Sequence, residues 1–220
     1  MIKNALVFFS IAFIWSCAPT RFVKPLDKGE QAVNLSLGGA VIGYSSFAIP
    51  MPFLTATYGY GIDSSLTGFA SLNITSAIYG NLQTELGITK RLWKQHAGLP
   101  AVSINPVVNF MYRNKNAVKL YPQLDLNAYW ELNKGRSFLY TGISNWFELS
   151  STRALNTQQE DHWFLSPFIG ETLVRKHWNY NLEAKFLAPY ISSEKGIIDY
   201  KTFYGKHGAF GIYIGVTRKF

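Results

Sequence analysis

Residues 118–132 alternate without a break between two unlike faces. Val118, Leu120, Pro122, Leu124, Leu126, Ala128, Trp130 and Leu132 share one face, and Lys119, Tyr121, Gln123, Asp125, Asn127, Tyr129 and Glu131 share the other. A side-chain period of two marks an extended strand with one apolar and one polar side. At about 3.3 Å of rise per residue, a strand of this length crosses a bilayer at a tilt.

The same pattern recurs along the chain. Residues 178–188 set Trp178, Tyr180, Leu182, Ala184, Phe186 and Ala188 against Asn179, Asn181, Glu183 and Lys185, and weaker alternation marks 33–37, 54–62, 66–74, 82–88 and 102–112. Segments 138–147 and 163–174 are apolar on both faces, so their registers are open. With residues 210–220 the count is about ten strands, or eight if two segments are loop excursions. Pro106 and Pro122 lie inside proposed strands, where a missing N–H weakens the ladder or marks a bulge. The expected turns at one end, 61–65, 94–100, 133–136 and 176–177, are short. Connections 39–51, 149–162 and 189–208 at the other end are long, beside shorter ones near 79–80 and 114–116. Short turns facing long loops is the asymmetry of a membrane barrel, and an even strand number returns both chain ends to the short-turn, periplasmic side.

Residues 1–16 carry Lys3, an apolar run from Ala5 to Trp15, and Ser16 before Cys17. The run is too short to span a bilayer and reads as a secretory signal peptide. Cys17 is the only cysteine, so no intramolecular disulfide forms. Residues 17–30, with Pro19 and Pro25, read as a flexible tether ahead of a barrel over 31–220. Charged residues are 15% and aromatics 16%, against about 25% charged in typical soluble domains. No stretch after Cys17 is apolar enough for a membrane helix, which leaves a closed barrel as the way for such a chain to cross lipid.

Alternation alone does not say which face points outward. In a soluble, lipocalin-like barrel the apolar face lines a ligand cavity. Trp93, Trp130, Trp163 and Trp178 near strand ends fit interfacial aromatic girdles instead. With the polar face inward, Glu85, Lys119, Asp125, Glu131, Glu183 and Lys185 enter the lumen, together with the bulk of Tyr121, Tyr129 and Tyr213. Charges in a narrow interior are tolerated when paired, so the expected lumen is mostly filled. The formal net charge is +8. Lys90, Arg91, Lys134, Arg136, Arg175, Lys176, Arg218 and Lys219 gather near the short-turn rim, a collar suited to anionic headgroups or an acidic envelope protein. An exported barrel is not expected to bind nucleic acid.

The four histidines and one cysteine have no zinc spacing, and no phosphate-binding glycine loop occurs, so neither metal nor cofactor is expected. His162 and His207, with Glu160, Asp161, Ser150, Ser151 and Ser166 on the long-loop side, supply the residue types of a hydrolase, but nothing in their spacing imposes a catalytic geometry.

The terminal aromatic Phe220 on an amphipathic strand, the lipobox-like Ile14-Trp15-Ser16-Cys17 and the dyad strands together resemble a bacterial outer-membrane β-barrel lipoprotein over residues 17–220. Trp15 departs from the lipobox preference for a small residue. The resemblance implies an all-β, closed antiparallel transmembrane barrel in the outer membrane, recognition of Phe220 by the outer-membrane assembly machinery, and a lipid anchor on Cys17. It implies a structural or interaction role, including that of an accessory subunit in a larger outer-membrane complex. The alternatives are a narrow channel or small-molecule transporter through the lumen and, behind it, a surface hydrolase.

Overall fold

The computed structural model describes residues 19, 21–44, 47–113, 118–151, 158–193, 200–202 and 205–220. The proposed signal peptide and Cys17 lie outside them. The strands are β1 (Gln31–Tyr44), β2 (Phe47–Pro50), β3 (Phe53–Asp63), β4 (Leu66–Asn73), β5 (Asn81–Trp93), β6 (Ala101–Arg113), β7 (Lys119–Leu132), β8 (Ser137–Phe147), β9 (Trp163–Val174), β10 (Trp178–Ser192) and β11 (His207–Lys219). A five-residue helix, α1 (Ile74–Ile78), follows β4 and is capped by the Asn73 side chain. Ten strands, β1 and β3 to β11, pair in sequence order, and β11 returns to β1 to close the sheet.

Closure is the condition lipid imposes, because an open sheet edge leaves a row of unpaired N–H and C=O groups in a medium without water. Here β1 and β11 pair over nine residues, from Ala32↔Lys219 to Ala40↔Gly211. The Phe220 N–H then donates to the Gln31 carbonyl at 2.9 Å. Both barrel ends of the chain therefore meet at the short-turn rim. The tight turn after β7 uses Asn133, Lys134 and Gly135, all at positive φ.

Side chains are sorted inside out relative to a soluble protein. Leu35, Leu86, Leu126, Ile169, Leu182 and Ile214 are exposed on the outer wall, while Thr57, Asn105, Asn127 and Glu183 are buried within. A lipocalin-like arrangement has the reverse. Trp93, Trp163 and Trp178 are exposed near strand ends, as a girdle requires.

The strand register answers the two proline questions separately. Pro106 leaves a gap in the β5–β6 ladder between Gly87↔Val107 and Lys90↔Ile104 without changing register, and the irregularity in that pair lies lower, between Arg91 and Trp93. Pro122 sits one residue past Gln123↔Trp146, where the β7–β8 ladder ends. Neither proline makes a bulge.

Two expected connections differ. Residues 39–51 do not form one long loop: β1 runs on to Tyr44 and turns back as β2, with Val41↔Pro50 to Tyr44↔Phe47 paired. Gly38 lies in β1 at φ +147, where a Cβ would stand 2.1 Å from the Ile212 carbonyl oxygen. The second correction concerns the tether. Residues 21–30 are not a free linker; residues 21–26 lie inside the barrel and residues 27–30 stand at its short-turn rim, as described below.

We predict that Leu126→Arg destabilises the barrel by about 2–4 kcal/mol when unfolding is measured in lipid vesicles, because a cation is then placed in the hydrocarbon belt. An unchanged unfolding midpoint contradicts the outward orientation of this face.

Candidate functional site

The lumen is built from inward-facing residues of ten strands and from a peptide that the sequence reading placed elsewhere. From Glu30 at the short-turn rim, the chain passes backwards through Asp27 and Leu26 to Val23, Phe22 and Arg21. The Gly29 N–H donates to the Gly61 carbonyl at 2.8 Å, and the Gly61 N–H to the Glu30 carbonyl at 2.9 Å, which fixes the lower end. Higher up, wall side chains bond the backbone of this segment. The Leu26 N–H donates to Thr67 Oγ1 at 2.8 Å, the Ser103 hydroxyl donates to the Val23 carbonyl at 2.6 Å, and the Phe22 carbonyl accepts from Thr89 Oγ1 at 2.7 Å and Asn105 Nδ2 at 3.1 Å. A peptide lying in a barrel cannot join the sheet ladder, so hydroxyl and amide side chains supply the partners its backbone needs.

The sequence leaves room for this peptide. At Gly59 an added Cβ would stand 2.5 Å from the Phe22 ring, and at Gly61 it would stand 1.9 Å from the Asp27 carbonyl oxygen. Phe22 packs against Phe69, ring centroids 6.2 Å apart. Val23 is buried with Ala101, Tyr129, Phe138, Tyr140 and Phe168 in an apolar cluster.

At the deep end, Arg21 forms a buried ion pair with Glu85. Arg21 Nε donates to Glu85 Oε2 at 2.7 Å and to Ser71 Oγ at 3.2 Å, and a further guanidinium nitrogen donates to the Pro19 carbonyl. Glu85 has uncharged cross-strand neighbours, Ser71 and Asn109. Its counter-charge comes from the inserted segment. Lys24 stands 3.0 Å from Glu131 and Lys219 stands 3.4 Å from Glu30 near the rim. Both of these pairs are partly solvated and weigh little beside the buried one.

A second polar group occupies the lumen across from the segment. Lys185 Nζ is 3.6 Å from Glu183 Oε1 and 5.1 Å from the centre of the Phe168 ring, while the Tyr140 hydroxyl donates to Glu183 at 3.1 Å. Gln123 Nε2 donates to Asp125 at 2.9 Å and to Ser144 Oγ at 3.2 Å. Asn127 donates to Asn105 at 2.8 Å, and Asn105 to Thr89 at 2.8 Å, which links this wall to the Phe22 carbonyl. Beside the segment, on the side of β8 to β11, a space of about 120 Å³ remains, lined among others by Arg21, Asn34, Thr57, Thr172, Asn181 and Thr217.

Of the six charges expected in the lumen, Glu85, Asp125, Glu183 and Lys185 are buried there. Lys119 and Glu131 stand at the two ends of β7, each partly exposed, because the strand is longer than the central polar layer. The basic residues of the collar all fall at the short-turn rim. Lys90 donates to Ser65 Oγ at 2.7 Å, Arg91 to the Ser64 carbonyl at 2.6 Å and Arg175 to the Val174 carbonyl at 2.9 Å. Lys134 and Arg136 occupy the turn after β7, Lys176 is exposed in the next, and Arg218 lies over the rings of Trp178 and Phe220 at 5.4 and 5.1 Å. Arg21, Phe22 and Val23, the residues that fill the lumen, were missed because they carry no strand period.

The hydrolase residues are not assembled into a triad by the contacts they make. His162 Nδ1 is 2.8 Å from the Glu148 carbonyl oxygen, Ser166 Oγ accepts from the Ala188 N–H at 3.2 Å, and His207 pairs with Ser192 in the β10–β11 ladder. Among the described residues, no group of three or more His, Cys, Asp or Glu side chains is placed to hold a metal.

No protein-family model and no curated protein sequence matches the chain. Solved structures similar to it include the translocator domain of the autotransporter NalP from Neisseria meningitidis, at 10% identity and TM-score 0.44 over 100% of this chain and 95% of that one. The NanC porin is similar at 8% identity and TM-score 0.47, over 87% and 99% of the two chains. An outer-membrane channel from Pseudomonas putida F1 is similar at 10% identity and TM-score 0.45, over 92% and 100%.

Arg21→Ala should destabilise the folded barrel by about 3–5 kcal/mol in urea unfolding, since it strands Glu85 as an uncompensated buried charge. The double variant Arg21→Met, Glu85→Leu should recover most of that loss. A single variant as stable as the wild type contradicts the buried pair.

Proposed function

We propose that this chain is a bacterial outer-membrane barrel whose lumen is a narrow path for small polar solutes, held shut by its own residues 21–30. The observation that carries the reading is the juxtaposition of a space of about 120 Å³, lined by Asn34, Thr172, Asn181 and Thr217 as well as by apolar Val23, Phe138 and Val174, with a segment anchored by separable side-chain contacts rather than by a ladder. Placement in the outer membrane draws on the closed sheet, the apolar outer wall and the short turns beside both ends of the barrel. In that orientation the segment enters from the periplasmic side, and the basic collar faces periplasmic headgroups or an acidic envelope protein.

Lipidation of Cys17 belongs to the same reading, with a consequence for gating. Pro19 is buried beside Arg21, and two residues of extended chain span about 7 Å. With the barrel wall in between, we assign a membrane-inserted lipid on Cys17 to a state in which the segment has left the lumen. Anchoring and closure then compete for one short stretch of chain. The filled lumen equally favours a second reading, a permanently closed barrel with a structural or docking role.

Planar-bilayer recording separates the two. The full chain should be silent or nearly so, and deletion of residues 21–27 should produce discrete conductance steps. A deletion variant that inserts and folds but stays silent supports the closed scaffold and overturns the solute path.

A further inference from the structure

Strands β9 and β10 lie side by side, yet their ladder runs from Asn179↔Val174 to Lys185↔Phe168 and stops. β9 continues beyond Phe168 to Trp163, and β10 continues beyond Lys185 to Ser192. The flanking seams do not stop there: β8 and β9 remain paired up to Phe147↔Trp163, and β10 and β11 up to Leu187↔Ala209. The wall is unzipped along one seam in its long-loop half.

Both strands carry a cause. Backbone polar groups along a strand point alternately to its two neighbours. The Leu165 N–H and the Trp163 carbonyl both face β10, so residue 167 faces it as well, and Pro167 has no N–H to give. On β10, Ala188 sits at φ 40 just before Pro189, and the register against β11 shifts between Leu187 and Ser192. Hydroxyl groups replace the missing ladder. The Ala188 N–H donates to Ser166 Oγ at 3.2 Å, the Leu165 N–H donates to the Tyr190 hydroxyl at 3.1 Å, and that hydroxyl donates to the Trp163 carbonyl. The Tyr190 ring also lies 6.3 Å from the Trp163 ring. One side-chain rotation of Tyr190 releases two of these three bonds, whereas a ladder opens cooperatively.

The two sides of the seam are chemically alike. Just below the unzipped stretch, Ile169 and Leu182 on the paired part of the seam are more than half exposed on the outer wall. Inside it, Ala40, Met51, Leu187, Ala209 and Tyr213 form an apolar cluster, and Ile191 is buried nearby. This packed apolar cluster lies above a lumen that is polar at mid-height. Phe168 is six residues above the lower end of β9, about 20 Å along the strand and about 15 Å above the rim at a 40° tilt. On the same scale Trp163 stands about 28 Å above the rim, so the unzipped stretch runs from the middle of an apolar band about 25 Å tall to the aromatic girdle at its upper edge.

We propose that this stretch is a lateral portal through which a single alkyl chain of an amphiphile in the outer half of the bilayer inserts against the apolar cluster on its inner side, with Tyr190 as its latch. The portal lies above residues 21–30 and does not depend on the polar path.

The test uses the full chain in lipid vesicles containing a fatty acid with a photoactivatable diazirine near its tail, with labelled residues located by mass spectrometry. In the wild type, labelling should reach Met51, Leu187 or Ile191 as well as the outer residues Ile169 and Leu182. Tyr190→Phe keeps the ring but removes the hydroxyl, and should raise labelling of the inner cluster about fivefold, as the loss of a latch hydrogen bond implies. Labelling confined to outer-wall residues in both proteins overturns the portal. Equal labelling of the inner cluster in both overturns Tyr190 as the latch. The wild-type result stands by itself should the variant fold poorly.

Discussion

A bilayer offers no water to a backbone N–H or C=O, and this requirement organises the whole molecule. It forces the ten principal strands into a sheet with no free edge, joined where β1 meets β11. It also explains where departures occur. At Pro106 the ladder loses a rung but keeps its register. At Pro167, where both strands deviate, the hydroxyls of Ser166 and Tyr190 take over the backbone's bonds. Side chains follow from the same medium: leucine and isoleucine face lipid, and what remains for the interior is polar.

A polar interior this narrow cannot leave its charges alone. Glu85 has serine and asparagine as inward neighbours, and its charge is compensated by Arg21, brought in on a segment from outside the sheet. The hydroxyl and amide groups of Thr67, Thr89, Ser103 and Asn105 satisfy the backbone of that segment, which ties the N-terminal chain to β4, β5 and β6 without lengthening any of them. Closure of the lumen and stability of the barrel thereby share one set of contacts. A path that opens by withdrawing the segment must lose the Arg21–Glu85 pair, so a closed resting state follows from the cost of an unpaired buried carboxylate.

Much of this was legible in the residues. Period-two alternation located eight of the ten barrel strands, apolar runs at 138–147 and 163–174 marked β8 and β9 without giving a register, and the strand-end tryptophans with the short-turn asymmetry pointed to the outward face. Residues 17–30 misled because a peptide held by side chains needs no period of its own, and Arg21-Phe22-Val23 with two flanking prolines looks like a linker. The available clue was Glu85, a lumen carboxylate without a cation on the adjoining inner positions. Residues 39–51 misled in the opposite sense: they read as one long loop, where β1 runs on to Tyr44 and pairs with β2. Lys119 and Glu131 share the face of Asp125 but not its depth, and alternation reports face alone.

The inside-out arrangement is tested most directly by a nitroxide scan of residues 119–132 in the reconstituted full chain, comparing collisions with lipid-dissolved oxygen and with a water-soluble nickel complex. Labels at 120, 124, 126, 128 and 132 should meet oxygen, and labels at 121, 123, 125, 127 and 129 should be immobile and shielded from it. Oxygen collisions at the odd positions with nickel contact at the even ones would contradict the barrel described here.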